Sequence, residues 1–166
     1  MPHVMMSRKK CTGCHMCELA CSAYHEGAYR PSVARLYSEC NPTTAEIKSH
    51  TCLQTACAKC QDACAPGAIV TKKITIAPRG TFDSREKVGD SMEGFVLIVD
   101  EDKCTNCGDC YEACPYDVIH EHPDRMVAFK CDLCDGDPQC ITFCQNPNVL
   151  AMDLKIDKMD KEPAQV

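Results

Sequence analysis

The sequence predicts an α+β fold in which short strands and short helices pack around cysteine-rich loops. Sixteen of the 17 cysteines in the 166-residue chain fall into four runs of four. Short apolar stretches of strand-forming residues precede or follow these runs. The chain has no Trp and only 4 Phe, so it offers few large side chains for an apolar core. Bound metal supplies folding free energy in small domains of this kind, and thiolates are suitable ligands.

All four runs end in C-x3-C, a spacing that places the last two thiols on one face of a short helix. The runs are Cys11-x2-Cys14-x2-Cys17-x3-Cys21, Cys52-x4-Cys57-x2-Cys60-x3-Cys64, Cys104-x2-Cys107-x2-Cys110-x3-Cys114 and Cys131-x2-Cys134-x5-Cys140-x3-Cys144. The third run, which Pro115 follows, has the spacing that binds [4Fe-4S] clusters in two-cluster ferredoxins. There the fourth cysteine of each run binds the other cluster. Sixteen ligands therefore predict four [4Fe-4S] clusters.

Two other uses of cysteine fit the pattern less well. A disulfide framework is typical of short secreted chains rich in cysteine, but it would not need the same tight run four times. Structural zinc sites usually combine two C-x2-C pairs across a longer loop. Three cysteines spaced by two residues, with a fourth after three more, do not have that layout.

Charge and hydropathy exclude some partners. The formal net charge is -6 without thiolates or clusters, and phosphate binding requires a basic face, so nucleic acid is not an expected partner. The only basic run, Arg8-Lys9-Lys10, stands directly before the first cysteine run. No segment approaches the roughly 18 apolar residues of a membrane span, and the N-terminal residues lack a secretory pattern. We expect a cytoplasmic protein, since thiols persist in a reducing compartment.

Short strands are predicted on both sides of the cysteine runs. The candidates are residues 68–70, 73–76, 94–100, 117–120, 126–130 and 149–152. The order of strand, cysteine loop, one-turn helix and strand is typical of ferredoxin-like modules, and the sequence predicts two of them. Residues 77–91 are polar and contain Pro and Gly, which predicts a surface loop that contacts a partner, with an extended hairpin connection without a binding role as the alternative. Residues 153–166 alternate in charge, which predicts a solvated C-terminal tail.

Two stretches resemble a known family. Lys130-Cys131-Asp132-Leu133-Cys134, followed by Gly136-Asp137-Pro138-Gln139-Cys140, is similar to the dimethyl sulfoxide reductase iron-sulfur subunit family of four-cluster ferredoxin subunits. Its members accompany molybdenum and tungsten oxidoreductases. Cys17-Glu18-Leu19-Ala20-Cys21-Ser22, with His25-Glu26-Gly27 and Ala34-Arg35-Leu36 after it, resembles most closely the small electron-transfer subunit of tungsten aldehyde oxidoreductases. The resemblance spans about residues 8 to 152.

The resemblance implies a nested pairing, in which the first run pairs with the fourth and the second with the third. The implied ligand sets are set A, Cys11, Cys14, Cys17 and Cys144; set B, Cys131, Cys134, Cys140 and Cys21; set C, Cys52, Cys57, Cys60 and Cys114; and set D, Cys104, Cys107, Cys110 and Cys64. The corresponding modules are residues 1–51 with 115–152, and residues 52–114. Spacing alone leaves a sequential pairing of neighbouring runs open.

The second run departs from the family pattern. Thr55 stands where the second cysteine is expected, and Cys57 follows two residues later. The opening C-x4-C-x2-C matches plant-type [2Fe-2S] spacing, but Cys64 follows too soon for that motif and favours [4Fe-4S]. Cys40 belongs to no run and is predicted to be a free thiol. His15 and His25 are candidates for hydrogen bonds to cluster sulfur, with surface or capping roles as the alternative.

The expected function is electron transfer without catalysis, because no nucleotide-binding motif and no acid-base grouping is present. The resemblance implies a relay between a large tungsten or molybdenum pterin subunit, of the aldehyde oxidoreductase kind, and a second redox partner such as a flavoprotein. A free-standing polyferredoxin carrier is the alternative, and a zinc-stabilised interaction module is a third. A row of clusters with complementary ends would also favour head-to-tail self-association.

Overall fold

Short strands and short helices alternate along residues 2–76, 91–146 and 149–153, which are the residues that the computed structural model describes. The strands are β1 His3–Met6, β2 Tyr37–Cys40, β3 Ile47–His50, β4 Ile69–Ile76, β5 Met92–Val99, β6 Ile119–Glu121, β7 Ala128–Lys130 and β8 Leu150–Asp153. The α-helices are α1 Met16–Glu26, α2 Lys59–Ala63, α3 Asp109–Glu112 and α4 Gln139–Thr142, and 3-10 helices cover Pro31–Val33, Gln54–Ala56 and Leu133–Gly136. The prediction of a mixed fold of short elements is confirmed.

Each described strand pairs with one other in an antiparallel ribbon. The pairs are β1 with β8, β2 with β3, β4 with β5, and β6 with β7. The β4–β5 ribbon is the longest, with Ile69 opposite Val99 at one end and Ile76 opposite Met92 at the other. The β1–β8 ribbon sets Met6 opposite Leu150 and so brings the first and fourth cysteine runs to the same part of the molecule.

The predicted strands and the observed strands differ mainly in their bounds. Candidates 68–70 and 73–76 lie in one strand, β4, apart from residue 68, and candidate 94–100 lies largely within β5. Candidates 117–120, 126–130 and 149–152 overlap β6, β7 and β8. The sequence did not predict β1, β2 or β3. Residues 77–90 of the predicted loop and 154–166 of the predicted tail lie outside the described residues.

Helix α1 is longer than the one-turn helix expected after a cysteine run. It continues for 11 residues and ends at Gly27, whose left-handed φ of 65° lets its N–H bond the carbonyl of Ala23. The segment between Cys17 and Gly27 contains no Pro or Gly, so nothing interrupts the helix earlier.

Two groups of buried side chains are built around the cysteines. One contains Cys17, Cys21, Cys140 and Cys144 together with aliphatic residues of β1, β4, β5 and β8. The other contains Cys60 and Cys110 with aliphatic residues of β4 to β7. Both groups use the β4–β5 ribbon, so this ribbon lies between them. The division into two modules at residues 51/52 and 114/115 stays a prediction.

Gly136 fixes the fourth run against the β4–β5 ribbon. Its φ is 103°, and a Cβ there would collide with the carbonyl oxygen of Thr75. Only glycine allows so close an approach of the two backbones. Within the described ranges, no helix has the length and apolar character needed to cross a membrane.

Candidate metal centres

The four cysteines of set A line one cavity. It has a volume of about 140 Å³, and Cys11, Cys14, Cys17 and Cys144 all contribute to its wall. Cys17 starts the buried side of α1, and burial, with smaller contributions from Glu18, Cys11 and Cys144, raises the pKa of its thiol to about 12. Cys14 is exposed, so this cavity lies at the protein surface.

The four cysteines of set D line a second pocket. Cys64, Cys104, Cys107 and Cys110 surround it, with Ile69, Val99 and Tyr111 as apolar neighbours. Burial is the main cause that raises the pKa of Cys110 to about 11, and Cys104, Cys64 and Cys107 add to the rise. Cys107 is exposed, so set D also reaches the surface.

Sets B and C lie deeper in the protein. Burial raises the pKa of Cys140 well above its usual range, and the nearby thiols of Cys131, Cys134 and Cys21 raise it further. Burial likewise raises the pKa of Cys60 to about 11, with smaller effects from Lys130, Cys52, Cys114 and Cys57. Each buried thiol is therefore surrounded by the other members of its own set.

The four sets follow one another in space. Cys17 and Cys144 of set A pack in one buried group with Cys21 and Cys140 of set B. Gln54 links set B to set C, because its Nε2 donates to Cys131 O and its N–H points at Cys52 Sγ. Cys60 of set C and Cys110 of set D share one buried group. The order is A, B, C, D, with the exposed thiols Cys14 and Cys107 at its two ends.

The four loops repeat the same backbone twist. The second residue after the first cysteine of each run has positive φ: Gly13 (66°), Gln54 (54°), Asn106 (54°) and Leu133 (61°). So does the residue that follows the second cysteine: His15 (57°), Ala58 (53°), Gly108 (89°) and Asp135 (55°). Non-glycine residues in this conformation cost about 1–3 kcal/mol each, so the surrounding structure must enforce it. Turns of this kind point successive N–H groups into an anion-binding concavity, as at many iron-sulfur sites.

The repeated twist explains the irregular second run. Gln54 and Ala58 occupy the same two positions as Gly13 and His15, so Thr55 and Ala56 are an insertion between them. The 3-10 helix Gln54–Ala56 accommodates the insertion. Cys57 then stands where the second cysteine of the other runs stands. The Oγ1 atom of Thr55 is buried and has no hydrogen-bond partner among the described residues.

Backbone amides point at several of the sulfur atoms. The N–H···Sγ pairs join Gly13 to Cys11 (3.5 Å), Arg35 to Cys21 (3.3 Å), Gln54 to Cys52 (3.3 Å), Ala68 to Cys64 (3.2 Å) and Ala128 to Cys104 (3.3 Å). Such donors stabilise negative charge on sulfur and tune the metal that it binds. Convergent thiols, concave loops and amide donors together fit a [4Fe-4S] cluster.

The two histidine candidates have different contacts: His25 lies near a cysteine sulfur, and His15 lies near a carboxylate. His25 Nε2 lies 3.7 Å from Cys134 Sγ and 3.3 Å from Asp132 Oδ1. Burial would raise the pKa of Asp132, but His25 and Arg35 outweigh it and lower that pKa to about 2. His15 instead lies with its Nδ1 2.8 Å from Glu18 Oε1. Cys40 is exposed at the end of β2 and belongs to none of the four sets.

The chain is similar in sequence to a 4Fe-4S domain family and to several oxidoreductase and electron-transport proteins. The family model of the 4Fe-4S dicluster domain matches residues 55–118. The polyferredoxin-like subunit of aliphatic sulfonate oxidoreductase from Pyrococcus furiosus is 32% identical over 142 residues, which cover 85% of this chain and 70% of the relative. A subunit of anaerobic dimethyl sulfoxide reductase from Escherichia coli is 33% identical over 81% of this chain, which spans 65% of that relative. The electron transport protein HydN of Escherichia coli is 29% identical, with 96% of this chain and 93% of HydN covered.

Proposed function

Because this chain belongs to the family of polyferredoxin-like [4Fe-4S] subunits, we propose that it is a non-catalytic electron-transfer subunit of an oxidoreductase complex. The observation that carries the proposal is the row of four cysteine sets whose outer members, Cys14 and Cys107, are exposed. When bound, each [4Fe-4S] cluster accepts and releases one electron. A row that reaches the surface at both ends suits entry of electrons at one end and exit at the other.

The chain's own residues hold the clusters and exclude water. In this proposal sets A to D each supply four thiolates, and the nested pairing makes each cluster depend on two cysteine runs. Burial of Cys17, Cys21, Cys60, Cys110 and Cys140 removes water from the inner side of each set. The amide donors at Cys52 and Cys64 offset part of the thiolate charge that burial makes costly.

The two ends differ in charge. Arg8, Lys9 and Lys10 are exposed next to set A. In the third run and just before it, the exposed charged residues are four acids and one lysine: Glu101, Asp102, Asp109, Glu112 and Lys103. Complementary charge steers association, so the set A end suits an acidic partner surface and the set D end a basic one. The same difference would permit head-to-tail self-association.

The catalytic partner we propose is a large tungsten or molybdenum pterin subunit of the aldehyde oxidoreductase kind, with a flavoprotein as the second redox partner. The sequence resemblance in the first and fourth runs supports this choice, and the relative from anaerobic dimethyl sulfoxide reductase is itself one chain of a larger enzyme. We place the complex in the cytoplasm, where thiols stay reduced. A free-standing polyferredoxin carrier is the second candidate, which the near full-length match to HydN favours.

Anaerobic purification of the tagged chain from its native host tests the partner. We expect a large pterin-containing subunit to co-purify, and an aldehyde added to the complex to bleach the brown cluster absorbance. A second variant, Lys9→Glu with Lys10→Glu, reverses the charge at the set A end and keeps every thiol. We expect it to weaken co-purification of the partner that docks at that end. A brown chain that purifies alone at low salt would support the free carrier instead, and a colourless zinc protein would contradict both.

A further inference from the structure

A lysine side chain is buried in the middle of the row of cysteine sets. Lys130 ends β7, directly before Cys131, and is 2% exposed. Its Nζ donates hydrogen bonds to Leu97 O (2.6 Å), Cys131 O (3.0 Å) and Gln54 Oε1 (3.1 Å). Three acceptors match the three N–H donors of an ammonium group, whereas a neutral amine has two. The site therefore offers one acceptor for each N–H donor of the ammonium form.

Among the described residues, no acidic group neutralises this charge directly. The three acceptors are two backbone carbonyls and a side-chain amide, and no carboxylate in the described ranges lies within 4 Å of Nζ. Burial of an ion without a counter-ion costs several kcal/mol, even after relaxation. An apolar side chain of similar length would avoid that cost. A lysine at this position therefore indicates that a negative group other than a carboxylate lies nearby.

Gln54 fixes the lysine between the two inner sets. Its side chain is 1% exposed, its Nε2 donates to Cys131 O (2.6 Å), and its Oε1 accepts from the N–H of Leu97 (3.1 Å) as well as from Lys130. The backbone N–H of Gln54 also points at Cys52 Sγ (3.3 Å). Gln54 and Lys130 thus join a thiol of set C, strand β5 and the backbone of a set B ligand.

Clusters bound by the inner sets would provide the missing negative charge. An all-thiolate [4Fe-4S] cluster carries about two negative charges when oxidised and about three when reduced. A fixed cation stabilises the more negative state of a neighbouring group. Lys130 lies against both inner sets, because its Nζ donates to the carbonyl of Cys131 in set B and to Gln54, whose N–H points at Cys52 Sγ of set C.

We propose that Lys130, held in place by Gln54, is a buried counter-cation that raises the reduction potentials of the two inner clusters, those of sets B and C. The proposal rests on the four-cluster function above. In this proposal Lys130 does not bind iron. Its positive charge makes the two inner clusters easier to reduce than the two outer ones, so an electron on the row stays mainly on the inner clusters.

The test is a redox titration of the anaerobically purified whole chain, with each cluster followed by its electron paramagnetic resonance signal. In Lys130→Met, we expect the ratio of reduced to oxidised cluster at a fixed potential to fall at least tenfold for two of the four clusters, which is about 59 mV for a one-electron couple. Lys103→Met is the matched control, because Lys103 also directly precedes the first cysteine of a run but is exposed. Solvent screens its charge, so it should shift the potentials much less.

Gln54→Glu is the second variant, in case Lys130→Met fails to assemble. It keeps the Oε1 acceptor but places a carboxylate against Lys130, so it should lower the same two potentials. Normal iron content with unchanged potentials in whichever variant assembles would overturn the proposal, and so would an equal shift of all four clusters. Loss of iron from both variants would assign the pair a purely structural role and would also overturn it. If the unaltered chain does not hold four clusters, the proposed function fails first, and iron analysis before the titration separates the two results.

Discussion

Cys144→Ala is expected to alter the same iron-sulfur centre as Cys14→Ala, although the two positions lie far apart in the sequence. Cys144 and Cys14 line one cavity with Cys11 and Cys17, because β1 pairs with β8 and brings the first and fourth runs together. Each replacement removes one of four thiolates from set A. We expect conversion of one cluster to a three-iron form or its loss, which removes about one or about four iron atoms from about sixteen.

The measurement is iron analysis together with electron paramagnetic resonance of the two single variants and of the double variant. If both thiolates bind one cluster, the double variant should lose no more than that cluster. Cys40→Ala is the control, because Cys40 is exposed and outside all four sets, and it should keep every signal. A spectrum in which Cys144→Ala disturbs the centre bound by the third run would instead support sequential pairing.

Cys57→Ala should lose or convert one cluster, while Thr55→Ala should leave all four intact. The twist at Gln54 and Ala58 places Cys57 where the second cysteine of the other runs stands, and Cys57 contributes, after burial and other neighbours, to the raised pKa of Cys60. Thr55 has no sulfur and lies in the two-residue insertion. Iron content and the number of [4Fe-4S] signals per chain measure both effects.

Thr55→Ala is a matched control because it changes the same loop without removing a thiol. Its buried hydroxyl has no partner among the described residues, so its removal should cost little stability. Four normal signals in Cys57→Ala would show that another residue completes set C, and Cys40 would be the first candidate to examine.

Part of the candidate metal centres could be predicted directly from the sequence. The cysteine spacing within each of the four runs is local in the sequence, and the cluster type and a plausible number of four clusters depend only on it. The β4–β5 ribbon was also predictable, since its strands are rich in Ile and Val. The ligand assignment of each cysteine stays a prediction.

Other features depend on contacts that spacing does not encode. Strand β1 is four residues long, and its partner β8 lies more than a hundred residues away along the chain. The β2–β3 ribbon contains polar residues, and its position depends on contacts with distant segments. Ser38 N–H donates to Glu18 Oε1 (2.9 Å), and the Tyr37 hydroxyl donates to Asp117 Oδ2 (2.8 Å). Strands this short form only where tertiary packing supports them.

Gln54 and Lys130 were missed for a similar reason. Glutamine and lysine are mostly exposed in proteins, so Gln54 in one cysteine loop and Lys130 before another are expected at the surface. Both side chains are almost fully buried instead. The signal that could have indicated Lys130 was its position in the Lys130-Cys131-Asp132-Leu133-Cys134 stretch that carries the family resemblance. Its contacts with Leu97 and Gln54 join three separate parts of the chain, so only the folded structure reveals them.

The most direct test of the four-cluster relay is the content of iron and acid-labile sulfide in the anaerobically isolated chain. Four cysteine sets with four thiols each predict about sixteen iron and about sixteen sulfide atoms per chain, with no bound zinc. A reproducible content near half that value, with all sixteen run cysteines reduced and intact, would contradict it.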